Sequence, residues 1–308
     1  MPGSRITVSD ITHVLLFACC VGGVYWLAFR WMLERMRRKP PCSRFDSAFR
    51  SKTCGVILLS LAAMGIACFA YGLLIEPKRL VVTEYTIESD KIPSGEHLRL
   101  VHLGDLHVRE NGPREKALPE LVSFLKPDII LHSGDFLAAA EAEPIVESLL
   151  KSWQVPQYAC AGNMDYFGEL EAVLVRAGVS VPSGLKPASL TVRGIRVTVS
   201  GFFSGMNADM HKQLQSLPSD TFNIVLYHHP EGFTETWNTP ADLMLAGHTH
   251  GGQVRLPFYG ALVTLDRFGK RFESGSFKEH GVNLVVSRGI GSEPNAPEFR
   301  FLCPPEVV

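Results

Sequence analysis

The chain has 308 residues, 46% of them hydrophobic, and a formal net charge of -1. That length holds one ordinary to large domain plus an appendage, and the balanced charge argues against a nucleic-acid binder. Seven cysteines, an odd number with no CxxC pair, argue against both a disulfide framework and a zinc finger.

Ile11 to Phe29 is 19 residues without a formal charge, and Gly55 to Ile75 is 21 more. As helices they would reach roughly 28 and 31 Å, close to the thickness of a hydrocarbon core. Tyr25, Trp26 and Trp31 fall where an interfacial aromatic belt lies. A cleaved signal peptide fits poorly, because only Arg5 precedes the first apolar run and Arg30 stands where a small-residue cleavage site belongs. Residues 1–79 are therefore expected to form a membrane hairpin, with helices near 11–33 and 55–75. The connecting loop, Arg30 to Lys52, carries eight Lys/Arg and two acids. The positive-inside rule puts this loop in the cytoplasm and both termini outside. A hairpin that adheres to anionic lipid without fully crossing is the other reading.

From residue 80 to 308 a different domain is expected. LVVTEYTIES (Leu80 to Ser89) is rich in β-branched residues and reads as a strand. A second strand, LRLVHL, stops at Gly104-Asp105. EKALPELVSFL reads as a helix, and PDIILHSGDF as a short strand ending at Gly134-Asp135. Helix PIVESLLKSW precedes strand VPQYACAGNMD, and LEAVLVRAGV is a further helix. SLTVRGIRVTVSGF reads as a hairpin turning at Arg193-Gly194. NIVLYHHP and DLMLAGHTHGG are again strand then loop, and VNLVVSRGIG is a late strand. Strands alternating with helices predict an α/β layered core with added hairpins.

Five strands end on polar clusters: LGDLH, HSGDF, AGNMD, LYHH and LMLAGHTH. In α/β sheets ligands gather beyond the carboxyl ends of strands. Asp105, His107, Asp135, Asn163, His228, His248 and His250 are thus expected to converge. In HxH and DxH, alternate residues of an extended segment share a face, so both side chains can enter one site. By the same alternation His229 is expected to point to the opposite face from His228. Mixed oxygen and nitrogen ligands suit Mn, Fe or Zn, and the lack of cysteine there argues against a thiolate site.

The ordered set D-x-H (Asp105, His107), G-D (Gly134, Asp135), G-N-x-D (Gly162 to Asp165), His228 and G-H-x-H (Gly247 to His250) resembles the calcineurin-like metallophosphoesterases. The resemblance runs from about Leu80 to the C-terminus, and GHTHGGQVRLP and VVSRGIG look like their membrane-anchored bacterial branch. It implies a four-layer α/β/β/α sandwich with two divalent ions, Mn²⁺ first, with Fe²⁺ and Zn²⁺ as alternatives. Carried over, Asp105, His107, Asp135 and His250 hold one ion, and Asp135, Asn163, His228 and His248 the other. It also implies hydrolysis by water activated at the metals, with Asp135, Asn163 and His248 at the reacting centre. Arg109, Arg114 and Arg255 neighbour the motifs, and Arg109 and Arg255 are the candidate substrate contacts.

Met164 stands where most of that family has a histidine that protonates the leaving oxygen. A thioether cannot do this, and losing a general acid typically costs about 10²–10⁴ in rate. An alkoxide, with a conjugate acid near ~15, departs badly without a proton; a phosphate monoester dianion, with a conjugate acid near ~6, does not need one. Met164 therefore fits a phosphoanhydride better than an alkyl ester. In lacking that histidine the chain is similar to the UDP-2,3-diacylglucosamine diphosphatases of lipid A synthesis, in particular their membrane-anchored chlamydial type. Only 18 residues separate His229 from His248, so the helical cap of the common soluble form has no room there. The resemblance implies a lipid-linked nucleotide-sugar substrate at a bacterial inner membrane; no nucleic acid is expected, and no protein partner is implied. Phe202 to Met206 and Tyr166 to Leu170 are candidate lining for its acyl chains. A UDP-linked substrate places the catalytic domain on the cytoplasmic side, whereas the basic loop at 30–52 argues for the opposite side. On that opposite side, a generic phosphoesterase acting on cell-envelope phosphate esters is the alternative.

Overall fold

A computed structural model describes residues 8–37, 40–166, 169–203, 207–294 and 297–308. Its contacts divide the chain into two compact units, one ending at Ile75 and the other covering Glu76–Val308.

The first unit holds α1 (Val8–Met36), α2 (Arg44–Phe49) and α3 (Lys52–Leu74). Ser43 and Ser51 cap α2 and α3 by accepting from the amides of Asp46 and Cys54. Within the unit, Tyr25 Oη donates to the Ala62 carbonyl and Trp31 Nε1 to that of Ser51, both at 3.2 Å. Glu34 joins the helix ends by accepting from Arg37 and Arg50. Leu15, Leu16, Trp26 and Phe29 on α1, and Val56, Met64, Ile66 and Phe69 on α3, are all exposed. Two helices of this length and composition can cross a membrane, and so large an apolar surface needs cover other than water.

The second unit runs β1 (Val81–Val82), β2 (Leu100–Leu103), α4 (Pro113–Leu125), β3 (Ile129–His132), α5 (Glu143–Lys151), β4 (Gln157–Ala159), α6 (Leu170–Ala177), β5 (Ala188–Val192) and β6 (Ile195–Phe202). It continues with α7 (Asn207–Leu214), β7 (Phe222–Tyr227), β8 (Leu243–Ala246), β9 (Arg255–Leu256), β10 (Gly260–Ala261), β11 (Gly275–Glu279), β12 (Val282–Val286) and β13 (Glu306–Val307). A small parallel sheet has the order β2-β3-β4. A larger sheet has the order β11-β12-β8-β7-β6-β5, parallel from β12 to β6 with an antiparallel strand at each edge.

Strand alternation sorts the core into three apolar layers. Val101, Leu103 and Ile130 pack with Leu118, Val146 and Val173 of the helices. Ile129, Leu131, Ile224, Leu226, Leu243 and Leu245 fill the space between the sheets. Val225, Tyr227, Met244, Leu284 and Val286 pack with Met210 and Leu214 of α7. Helix, sheet, sheet and helix are thus stacked as the four-layer sandwich that the sequence implied. The Arg193-Gly194 hairpin is also present, with φ of 48° and 79° at the two turn residues. The Leu80 to Ser89 strand is not: only Val81–Val82 pairs, because its partner β13 is two residues long. Thr83 still donates its amide to the Val307 carbonyl at 2.9 Å, and residues 84–89 lie in no strand.

Candidate metal centre

The site lies past the last residues of β2, β3, β7 and β8. Two groups of ligand atoms, Asp105/His107/His250 and Asp105/Asp135/His228, lie within 4.8 Å of one another in each case. They share Asp105, so they form one buried cluster. Asp135 Oδ2 is 3.2 Å from His228 Nε2 and 3.5 Å from His107 Nε2. His107 and His250 stack, with their Nε2 atoms 3.2 Å apart.

The backbone here departs from strand geometry. Asp105, His107, Asp135, His248 and His250 have φ of 48°, 39°, 57°, 70° and 50°. The left-handed region costs an L-residue roughly 1–2 kcal/mol, and five such residues at one site mark stored strain of the kind found at functional centres. This corrects the reason expected for the paired motifs. Asp105/His107 and His248/His250 enter the cluster because the chain coils tightly after each strand, not because alternate residues of an extended strand share a face. Gly134, at φ 100°, makes one such coil possible, since a side chain there would strike the backbone of Gly162.

Donors of fixed direction hold the cluster. The His248 amide donates to both oxygens of Asp105, at 3.0 and 3.1 Å. The Met164 amide donates to Asp135 Oδ1 at 2.8 Å. His228 Nδ1 donates to the Ser133 carbonyl at 2.8 Å, which directs Nε2 at the carboxylates. His248 Nε2 donates to the Leu265 carbonyl at 3.3 Å, leaving Nδ1 as its basic nitrogen.

Burial lowers the pKa of His107 to about 4 and of His248 to about 3, and holds His250 well below the ordinary value. These rings are neutral and ligand-competent at neutral pH. Burial and the neighbouring Asp135 charge push Asp105 up to about 7, against the pull of His228. Burial also disfavours charge on His228, but Asp135 and Asp105 overcome it and raise its pKa to about 10. Two buried carboxylates thus demand positive charge at this point, and His228 Nε2 faces both, 3.2 Å from Asp135 Oδ2 and 3.9 Å from Asp105 Oδ1. Carboxylate oxygens and neutral imidazoles converging there fit divalent cations of the Mn, Fe or Zn type.

Asn163 stands exposed on the bend that carries Met164, whose side chain is buried. His229 does not face away from His228 as expected. Strand β7 ends at Tyr227 and the chain turns into a 3₁₀ segment at Pro230, so alternation has lapsed. Its ring stacks on His248 with centroids 3.7 Å apart, and His228, His229 and His248 form a third group within 4.8 Å.

Asp165 has a positioning role that the motif alone did not reveal. It accepts amides of Asp135, Phe136 and Gly162, at 2.8, 2.7 and 2.7 Å, and so ties the β4 loop to the β3 loop. Arg109 donates to the Pro294 carbonyl. Arg255 donates to the Gly251 carbonyl and pairs with Glu273. Arg114 is buried against Glu115 and Pro77. Of the candidate acyl lining, Phe202 and Leu170 are core residues, Tyr166 and Phe203 are exposed, and residues 167–168 and 204–206 lie outside the described residues. A cavity of about 250 Å³ lined by Leu98, Leu100, Phe222 and Leu243 opens at the starts of the strands, away from the cluster.

A two-sheet sandwich with a buried carboxylate–imidazole cluster past its strand ends defines a metal-dependent phosphoesterase. The profile of the calcineurin-like phosphoesterases matches residues 98–252, and the chain belongs to that family, whose members use a dimetal centre. The Bacillus subtilis protein described as uncharacterized metallophosphoesterase YkuE is 30% identical, over 78% of this chain and 88% of its own. UDP-2,3-diacylglucosamine pyrophosphatase LpxG of Chlamydia trachomatis is 26% identical, over 81% of this chain and 94% of its own. Phosphodiesterase YaeI of Escherichia coli is 28% identical, over 68% and 80%.

Proposed function

We propose that this phosphoesterase hydrolyses the pyrophosphate of UDP-2,3-diacylglucosamine to UMP and 2,3-diacylglucosamine 1-phosphate. Met164 carries the reading. Its side chain is buried and its amide contacts Asp135, so position 164 contributes an N–H to the site and no acid. A leaving group must then depart unprotonated, which a phosphate with a conjugate acid near ~6 can do. The likeness to LpxG, named for that reaction, supports the reading.

Asp105, His107, Asp135 and His250 would hold one divalent ion, and Asp135, Asn163, His228 and His248 the other. Bound there, the two ions would polarise the phosphoryl oxygens and make water a nucleophile near neutral pH. Mn²⁺ is the ion to test first, with Fe²⁺ and Zn²⁺ as alternatives. The chain's own part is orientation: Met164 N and His248 N aim the two carboxylates, and Ser133 O and Leu265 O aim the two rings. The helices α1 and α3 would embed in the inner membrane, bringing the catalytic unit to a lipid-linked substrate from the cytoplasmic side.

A second reading, a phosphoesterase acting on cell-envelope esters outside the membrane, is favoured by the eight basic residues between 30 and 52. Full-length protein with Mn²⁺ should cleave UDP-diacylglucosamine faster than p-nitrophenyl phosphate or bis-p-nitrophenyl phosphate. Mass spectrometry of products formed in ¹⁸O-water identifies the phosphorus attacked, and no UMP would refute the proposal. Protease accessibility in spheroplasts tests the side. Met164→His should raise the rate on an alkyl phosphodiester by up to about 10² while changing the anhydride rate little; an equal rise on both would overturn the role given to Met164.

A further inference from the structure

We propose that the β9–β10 hairpin is a second membrane contact, which dips its tip into the bilayer beside the metal centre. The proposal rests on the membrane reading of α1 and α3, and is independent of the substrate.

The tip breaks two local rules at once. Tyr259 N donates to the Leu256 carbonyl at 3.2 Å, closing a four-residue turn, Leu256-Pro257-Phe258-Tyr259. Phe258 occupies the third position with φ of 64°. With proline before it, that is the place where such turns favour glycine or asparagine. Its ring is fully exposed, at 111% of the reference. A strained backbone presenting a bare aromatic ring is a local inconsistency of the kind that accompanies function. Beside it, Tyr259 is exposed, and Lys270 Nζ lies 4.0 Å from the centre of the Tyr259 ring. An aromatic pair with a lysine is the composition that settles at a lipid–water boundary.

The hairpin also starts near the point where the chain enters the catalytic unit. Glu76, which follows the last residue of the helical unit, is buried and accepts the amides of Leu302 and Cys303 at 2.8 and 2.7 Å. The next residue back, Phe301, pairs with Val254 and accepts the Arg255 amide at 2.9 Å. The entry segment thus bonds residues 302–303, and residue 301 bonds the hairpin base. Lys78 and Arg79 are exposed at the entry, as basic residues are where an apolar helix meets lipid headgroups. The base is in turn braced to the metal-site loop, because the Arg255 guanidinium bridges the Gly251 carbonyl and Glu273. A bilayer is the occupant these features fit: the covalent anchor brings it close, and the tip is aromatic and cationic.

The test uses the full chain in vesicles of phosphatidylethanolamine and phosphatidylglycerol, with Phe258 replaced by the photo-crosslinker p-benzoylphenylalanine. Phe124 is the control position, since it is also highly exposed, at 77%, but lies on α4 just before the start of β3. Irradiation should yield phospholipid adducts at 258 roughly tenfold above those at 124, as the interfacial preference of aromatic residues requires. The same replacement at Tyr259 should give adducts too. Equal lipid yields at 258 and 124, or adducts at 258 with a second copy or another protein, would overturn the proposal. No substrate is involved, so the outcome is separate from that of the anhydride reading.

Discussion

The small sheet and the large sheet bring different chemistry to the seam between them. From β2 and β3 come both carboxylates, Asp105 and Asp135, with one ring, His107. From β7 and β8 come only rings: His228, His229, His248 and His250. Each half is aimed by groups of the other: the His248 amide orients Asp105, and the Ser133 carbonyl orients His228. Both groups that contain Asp105 draw on the two sheets, so docking of the sheets and assembly of those two groups are one event. The acids are positioned by backbone amides, whereas the rings are positioned by carbonyls and stacking. The acids should therefore be the less tolerant half.

That contrast can be broken from its strongest side first. Asp135 faces rings from both sheets, so Asp135→Asn should cut turnover by about 10³ or more, several kcal/mol of lost transition-state stabilisation. It should also abolish any rise in Tm on adding Mn²⁺, read by calorimetry. A milder loss than that of His229→Gln would refute the asymmetry. Acid should strike the small sheet through its two non-ligand histidines. Burial holds His102 down to about 3, aided by repulsion from His132, and holds His132 down to about 4, from an ordinary 6.5. Above pH 6.5 both are neutral whether folded or unfolded. Below it the unfolded chain binds protons that the fold refuses, so stability falls by about 1.4 kcal/mol per pH unit for each. Between pH 6.5 and 4.5 this amounts to roughly 5 kcal/mol. Because His107, His248 and His250 are held down in the same way, His132→Gln should remove only its own share, about 1.4 kcal/mol per pH unit, from the fall of stability in that window, and an unchanged fall would contradict the assignment.

Asp165→Ala leaves three amides at the seam without their acceptor. It should cost about 3 kcal/mol in denaturant unfolding and about 10–100-fold in turnover, the penalty typical of groups that orient metal ligands. Gly194→Ala lies at the far hairpin, at φ 79° with open space around it. It should lower stability by only about 1 kcal/mol and leave turnover unchanged.

Much of the site was readable from strand ends alone, because polar residues after an apolar run in an α/β sheet face the same edge. The Arg193-Gly194 turn was readable because few residue pairs accept two left-handed conformations in a row. His229 was misplaced because strand alternation was carried past the end of β7. The part played by Asp165 was hidden because it binds amides, which every residue has. Arg255 looked like an anion contact, yet its guanidinium is spent on Glu273 and a carbonyl, partners that are distant or silent in sequence.

Apolar periodicity, chain length and residue chemistry determined by themselves that two apolar helices precede a layered α/β unit, and that oxygen and nitrogen ligands end its strands. These are local properties, set by what each segment can bury and what each side chain can donate or accept. Only the tertiary structure decided which backbone amides and carbonyls aim those side chains, how five left-handed residues bring them together, and that a strained phenylalanine stands bare at the tip of a hairpin. Such features depend on how segments far apart in the chain come to touch, and backbone groups carry no sequence signature by which that could be read in advance.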